Sequence, residues 1–149
     1  MFPLPFPMRA ALDAARAASD RKEVPVGAVV TLNGRIIATG GNAPRTLHDP
    51  TAHAEIVAIR AAAESLGRAR LEDCDLWVTL EPCAMCAGAI SHARIARLYY
   101  GAPDPKGGAV EHGPRFFAQP TCHHRPEVYM GIGEAEAATL LRAFFEERR

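Results

Sequence analysis

"DLWVTLEPCAMCAGAISHARIARLYYG", Asp75 to Gly101, decides the fold. Asp75–Leu80 is apolar and rich in β-branched and aromatic residues, so it reads as a strand. Pro82 opens a helix, in the first-turn position that proline tolerates, and the helix runs to about Ala93. Arg94–Gly101 is the next strand. Upstream, Val24–Val30 is a buried strand, and Asn33-Gly34 is a two-residue hairpin signal joining it to a strand at Arg35–Thr39. Gly40, Gly41, Asn42 and Pro44 then open a loop that reaches Pro50. Thr51–Leu66 reads as a helix with Thr51 as N-cap and Gly67 as its stop. An Ala-rich helix covers Met8–Arg21. Downstream, residues 102–126 form a Pro/Gly-rich loop with room for one short helical turn. A fifth strand at Glu127–Met130 and an amphipathic helix at Glu134–Glu147 end the chain. Apart from the hairpin, strands alternate with helices, which predicts a three-layer α/β/α sandwich around a central mixed sheet of about five strands.

At 149 residues the chain has the size of one domain, residues 1–149, with 1–7 as a loose N-terminal extension. Its 48% hydrophobic and 23% charged residues are those of an ordinary globular protein. The formal net charge is zero, so nothing global announces nucleic acid or an anionic membrane. Lys22 and Lys106 are the only lysines beside many arginines. No apolar run approaches the ~20 residues of a membrane span. "MFPLPFP" has no basic n-region and is broken by prolines, so it is not expected to act as a signal peptide. A cytoplasmic location is expected, where the four cysteines serve as ligands or core residues and not as disulfides.

Two short stretches carry chemistry: His53-Ala54-Glu55, and Pro82-Cys83-Ala84-Met85-Cys86. Cys83 and Cys86 are three apart and share one face at a helix start, where free N–H groups and the helix dipole favour thiolate. Two thiolates and one imidazole neutralise Zn²⁺ and leave its fourth position open, the pattern of a catalytic site. Water held there has its pKa lowered to roughly 7. Glu55, two residues from His53, is placed to move the proton. Either stretch alone is weak, as a buried cysteine pair or a chance His-x-Glu. Their order and spacing, with proline before the first cysteine, make the signal specific.

H-x-E followed by P-C-x-x-C resembles the zinc-dependent cytidine and deoxycytidylate deaminase superfamily. "EVPVGAV" (23–29), "HDPTAHAEI" (48–56), "LWVTLEPCAMCAGAI" (76–90) and "YYGAPDPKGGA" (99–109) are similar, within it, to the bacterial tRNA-specific adenosine deaminases. The final Phe144-Phe145 fits the same pattern, so the likeness runs from about Arg9 to Arg148. It implies a cytidine deaminase-like fold and hydrolytic conversion of the wobble adenosine of a tRNA anticodon loop to inosine. It further implies zinc-activated hydroxide, one zinc ion per subunit on His53, Cys83 and Cys86, Glu55 as proton shuttle, and a homodimer. Asn42, Val26 and Asp104 would contact the target nucleoside, with Pro25 beside Val26. For Asn42 and Asp104 a plain turn role is the alternative.

Lys106, Arg45 and Arg148–Arg149 are candidate phosphate contacts, against the alternative of solvated charges. Phe116–Phe117 and Phe144–Phe145 offer either base stacking or loop anchoring, with at least one of the last pair in the core. Cys74 reads as a small hydrophobe and Met85 as apolar packing. Cys122-His123-His124 has metal-binding side chains, but neighbours in an extended loop point apart and no partner pair accompanies them. They read as loop packing. Two other readings stay open: a zinc deaminase of a free base or nucleoside such as guanine or cytidine, and a non-catalytic zinc module, which Glu55 argues against.

Overall fold

The computed structural model describes residues 3–148. Among them, five strands form one sheet in the order β2-β1-β3-β4-β5. These are β1 (Gly27–Leu32), β2 (Arg35–Gly41), β3 (Cys74–Leu80), β4 (Arg97–Ala102) and β5 (Glu127–Tyr129). β1 runs antiparallel to β2 and β3, whereas β3–β4 and β4–β5 are parallel. The α-helices are α1 (Phe6–Asp20), α2 (Pro44–Leu47), α3 (Ala54–Leu66), α4 (Ala84–Ala93) and α5 (Glu134–Glu146). One turn of 3-10 helix spans Phe116–Ala118 inside the long loop, as expected.

Side-chain alternation along the strands splits the core into two layers. Leu76 and Val78 of β3 pack with Ala28, Val30 and Leu98 against Ala58 and Ala62 of α3 and Ile90 of α4. Val29 and Trp77 face the other way, onto Met8 and Leu12 of α1 and Ala137 of α5. The sheet is therefore covered on both faces, the expected sandwich. Asn33 (φ 52°) and Gly34 (φ 78°) are both left-handed, as a primed hairpin turn requires.

Several element ends differ from the sequence reading, each for a local reason. β1 begins at Gly27 and not Val24. Pro25 has no N–H for a ladder, and the Val26 N–H donates to the Val24 carbonyl at 2.8 Å in a tight turn. α3 begins at Ala54 with His53 as N-cap. Thr51 does not cap it, because its N–H and hydroxyl both donate to Asp49 Oδ1, at 2.9 and 2.7 Å. Pro82 precedes α4 and does not enter its first turn; Cys83 is the N-cap. The loop expected from Gly40 contains α2, and Gly40 and Gly41 belong to β2. α1 starts at Phe6, so Phe6 and Pro7 of the expected loose extension are helical, while Met1 and Phe2 lie outside the described residues.

Candidate functional site

α3 is seated on β2 by the absence of a side chain. A Cβ on Gly40 would stand 2.6 Å from the Ala54 carbonyl and 2.8 Å from the Ala58 nitrogen. This close approach brings the start of α3 beside the start of α4. His53 caps one helix and Cys83 the other, and neither side chain is used for a capping bond. His53 Nδ1 lies 3.6 Å from Cys83 Sγ and 3.6 Å from Cys86 Sγ. Among the described residues, this is the one group of three or more His, Cys, Asp or Glu whose donor atoms lie within 4.8 Å of one another. A tetrahedral zinc with bonds of about 2.3 Å to sulfur and 2.0 Å to nitrogen separates those atoms by about 3.5 Å, so the donor set fits the ion.

The electrostatics suit a cation. The neighbouring Cys86 thiol, then His53, hold Cys83 down to about 4, so it is a thiolate at neutral pH. The contact with Cys83, then burial, pushes Cys86 up, and the Cys83 contact raises His53. Two sulfurs crowded beside one imidazole are unfavourable together without a positive charge between them. Glu55 lies in the first turn of α3 and is 4% exposed. Burial pushes its carboxyl up to about 7.

Val26, Asn42 and Asp104 line the same cavity as His53, Glu55 and Cys83, a space of about 290 Å³. Val24, and not Pro25, joins Val26 on the apolar wall. Asn42 Oδ1 accepts the Ala54 N–H at 3.2 Å, tying the loop after β2 to the start of α3. Asp104 Oδ1 accepts the N–H groups of Lys106 (3.2 Å) and Gly107 (3.0 Å), so it also caps a turn. A second space of about 540 Å³ shares Val24, Leu80 and Asp104 with the first and continues to Lys106, Leu141 and Phe145. Phe144 is buried and Phe145 is 52% exposed, so the pair divides between core and groove. Arg148 lies over the Phe144 ring at 3.5 Å and pairs with Glu147; Arg149 lies outside the described residues.

Two buried carboxylates in this region escaped the sequence reading. Glu23, 3% exposed, accepts the N–H and hydroxyl of Thr46, each at 2.7 Å. Burial alone would raise its carboxyl, but the Thr46 bonds hold it below the ordinary range. Glu81, between β3 and Cys83, is saturated by the loop that follows Asp104. Nothing near Glu81 in the sequence marks its partners, which lie 23 to 31 positions downstream.

Other candidates resolve into packing. Cys122 is buried, with Sγ 3.6 Å from Ser91 Oγ and donating to the His124 carbonyl at 3.2 Å. His124 Nε2 meets the Ile95 carbonyl at 2.6 Å, and Arg125 bonds the carbonyls of Phe117 and Gln119. This stretch straps the long loop to α4, through Ser91, and to the link between α4 and β4, through Ile95. Phe117 is buried and Phe116 packs on the same core, so that pair is an anchor. Cys74 is fully buried, but Met85 is 37% exposed and not packed inside.

The cytidine and deoxycytidylate deaminase zinc-binding region matches residues 6–102. A tRNA-specific adenosine deaminase of Agrobacterium fabrum is 64% identical over 142 residues, covering 95% of this chain and 93% of that protein. A solved structure from work on A-to-I editing by tRNA:A34 deaminases superimposes with a TM-score of 0.90 at 64% identity, covering 91% of this chain and 98% of that one. A guanine deaminase from Nitrosomonas europaea gives 0.76 at 25% identity, covering 93% and 82%. The chain therefore belongs to the zinc-dependent cytidine and deoxycytidylate deaminase family, among its tRNA-specific adenosine deaminases.

Proposed function

We propose that this protein hydrolyses the 6-amino group of the wobble adenosine in a tRNA anticodon loop, giving inosine and ammonia. The observation that carries this is the buried Glu55 carboxyl beside the His53–Cys83–Cys86 triangle, in one base-sized cavity. His53, Cys83 and Cys86 are the residues that would hold zinc. Zinc, when bound, supplies the Lewis acidity that makes water a nucleophile at neutral pH. Glu55 takes one proton from the attacking water and delivers it to the ring nitrogen, then takes the second from the hydroxyl newly bonded to the ring carbon and passes it to the departing amine, leaving the carbonyl of inosine. A carboxyl raised by burial can both accept and return a proton near neutrality. Val24 and Val26 form the apolar wall on which the base rests. Asn42, its oxygen fixed by Ala54, has its amide NH₂ available to donate to the nucleoside, and Asp104 stands at the mouth.

Three features support an RNA over a free base. The identity to a tRNA deaminase is 64%, against 25% to the guanine deaminase. A second space of about 540 Å³ shares Val24, Leu80 and Asp104 with the cavity, is large enough for a neighbouring nucleotide, and carries Lys106 and the exposed Phe145. Phe145 offers a stacking surface, and the charge of Lys106 complements phosphate. A homodimer, a cytoplasmic location and one deaminase unit over 1–149 complete the reading. Exposed Leu47, Met85 and Met130 are surfaces a second subunit would cover, and light scattering in solution tests the dimer. Among the described residues no helix is long and apolar enough to cross a membrane. The deciding assay compares inosine formation in an anticodon stem-loop with ammonia release from free guanine, adenosine and cytidine. Editing of the stem-loop is expected, and turnover of free bases alone would overturn the reading.

A further inference from the structure

Glu81 has no part in the chemistry described above, yet it is the most heavily bonded carboxylate near the site. Its side chain is fully buried. Oε1 accepts the Asp104 N–H at 2.9 Å and lies 2.8 Å from His112 Nδ1. Oε2 accepts the N–H groups of Val110, Glu111 and His112, at 3.1, 2.9 and 3.2 Å. A carboxylate is acceptor-only, so His112 Nδ1 carries the hydrogen of that contact. The loop also closes on the backbone flanking Glu81. The Glu81 N–H donates to the Ala102 carbonyl at 2.8 Å, and the Ala109 N–H to the Pro82 carbonyl at 2.9 Å. Gly108 lies flat against both the carboxylate and its own loop, where a Cβ would stand 2.5 Å from the Asp104 carbonyl oxygen and 2.5 Å from Glu81 Cδ and Oε2.

We propose that Glu81 is a positioning residue for deamination: its carboxylate is the template on which residues 104–112 fold, fixing Asp104 at the cavity mouth. This rests on the deaminase reading above. The geometry explains why the residue must be a glutamate. Five donors converge on two oxygens, and an amide would set an NH₂ against at least one of them. An apolar side chain would leave four buried or half-buried N–H groups without partners. Its place matters as much as its chemistry. Glu81 is two residues from Cys83, so the rim that meets the substrate is held in register with a metal donor and not with a distant part of the fold. Substrate contacts on a loop gain from such pre-ordering, because binding no longer has to supply it.

The test uses zinc-loaded enzyme and three variants. Glu81→Gln replaces the carboxylate with a mispaired amide, Gly108→Ala crowds the intact carboxylate and the Asp104 carbonyl together, and His112→Ala removes only the ring donor. Zinc per chain, amide hydrogen exchange across residues 104–112, and steady-state editing of an anticodon stem-loop are measured for each. In Glu81→Gln and Gly108→Ala, zinc stays at the wild-type level. The amides of Asp104, Val110, Glu111 and His112 exchange about tenfold faster or more. KM rises roughly tenfold with kcat held within about threefold. His112→Ala moves exchange and KM the same way by less. Unchanged exchange, a fall in kcat at constant KM, or loss of zinc would each overturn the proposal. If Glu81→Gln does not fold, His112→Ala, which removes a bond to Glu81 and nothing else in the loop backbone, decides by the same criteria. If wild-type enzyme does not edit the stem-loop, the functional reading fails, and exchange alone decides whether Glu81 orders the loop.

Discussion

Three carboxylates line the cavity, and their bonding separates their roles. Glu81 is filled by donors from one loop, and Asp104 spends one oxygen on the turn N–H groups of Lys106 and Gly107. Glu55 is held by its own backbone N–H and lies beside the Cys86 thiol, which leaves it able to gain and lose a proton. Glu55→Gln keeps the shape and removes that ability. We expect kcat for inosine formation to fall by about 10²- to 10⁴-fold while zinc content and unfolding midpoint stay at wild-type values. Single-turnover kinetics and metal analysis measure this, and a rate within about tenfold of wild type would remove Glu55 from the proton path. His53 and Cys83 show the same economy of position. Both are N-caps whose side chains make no capping bond, so they point off the helix ends toward each other. The helix terminus favours the Cys83 thiolate that stands on it.

At the scale of elements, the site depends on how closely α3 sits on β2. Gly40 faces the Ala54 carbonyl and the Ala58 nitrogen at distances no Cβ would tolerate. Gly40→Ala would push the first two turns of α3 outward, and His53 is attached to them. The expected cost is about 1–3 kcal/mol of stability, as for other overpacked sites, together with weakened zinc binding. Denaturant unfolding and a competition titration with a chelator check both, and wild-type values in each would show that α3 finds its seat without the close contact. α2 belongs to the same assembly. It is four residues long, and Glu23 bonds Thr46 within it, so the loop after Asn42 is pinned from below. Two buried glutamates thus pin the segments beside the cavity, Glu23 holding α2 just after Asn42 and Glu81 holding the loop after β4.

For the whole molecule, metal and fold are coupled, because the three donors come from two helices that only the folded sheet brings together. One zinc per chain is expected. Cys83→Ala should lose it and unfold at lower temperature, whereas Cys122→Ala should keep it, since Cys122 serves the strap across Ser91 and the His124 carbonyl. Metal analysis of the two variants separates these roles, and a second zinc lost with Cys122 would give that loop a metal after all. The chain's residues alone determined a good part of this. His53, Glu55, Cys83 and Cys86 were legible because donor chemistry is written in side-chain type and their pairs are two and three residues apart. The turn at Asn33-Gly34 was legible because both positions need positive φ, and the layers were legible because, outside the hairpin, strands alternate with helices along the chain. Tertiary structure alone decided the rest. Neither α2 nor the start of β1 has a period long enough to read, and the Thr51 cap was lost to a competing bond with Asp49. Glu81 is the clearest case. Its partners lie 23 to 31 positions downstream, and four of them are backbone N–H groups. Every residue but proline has such a group, so no pattern of side chains marks which ones a buried carboxylate will gather; only the folded path of the chain does.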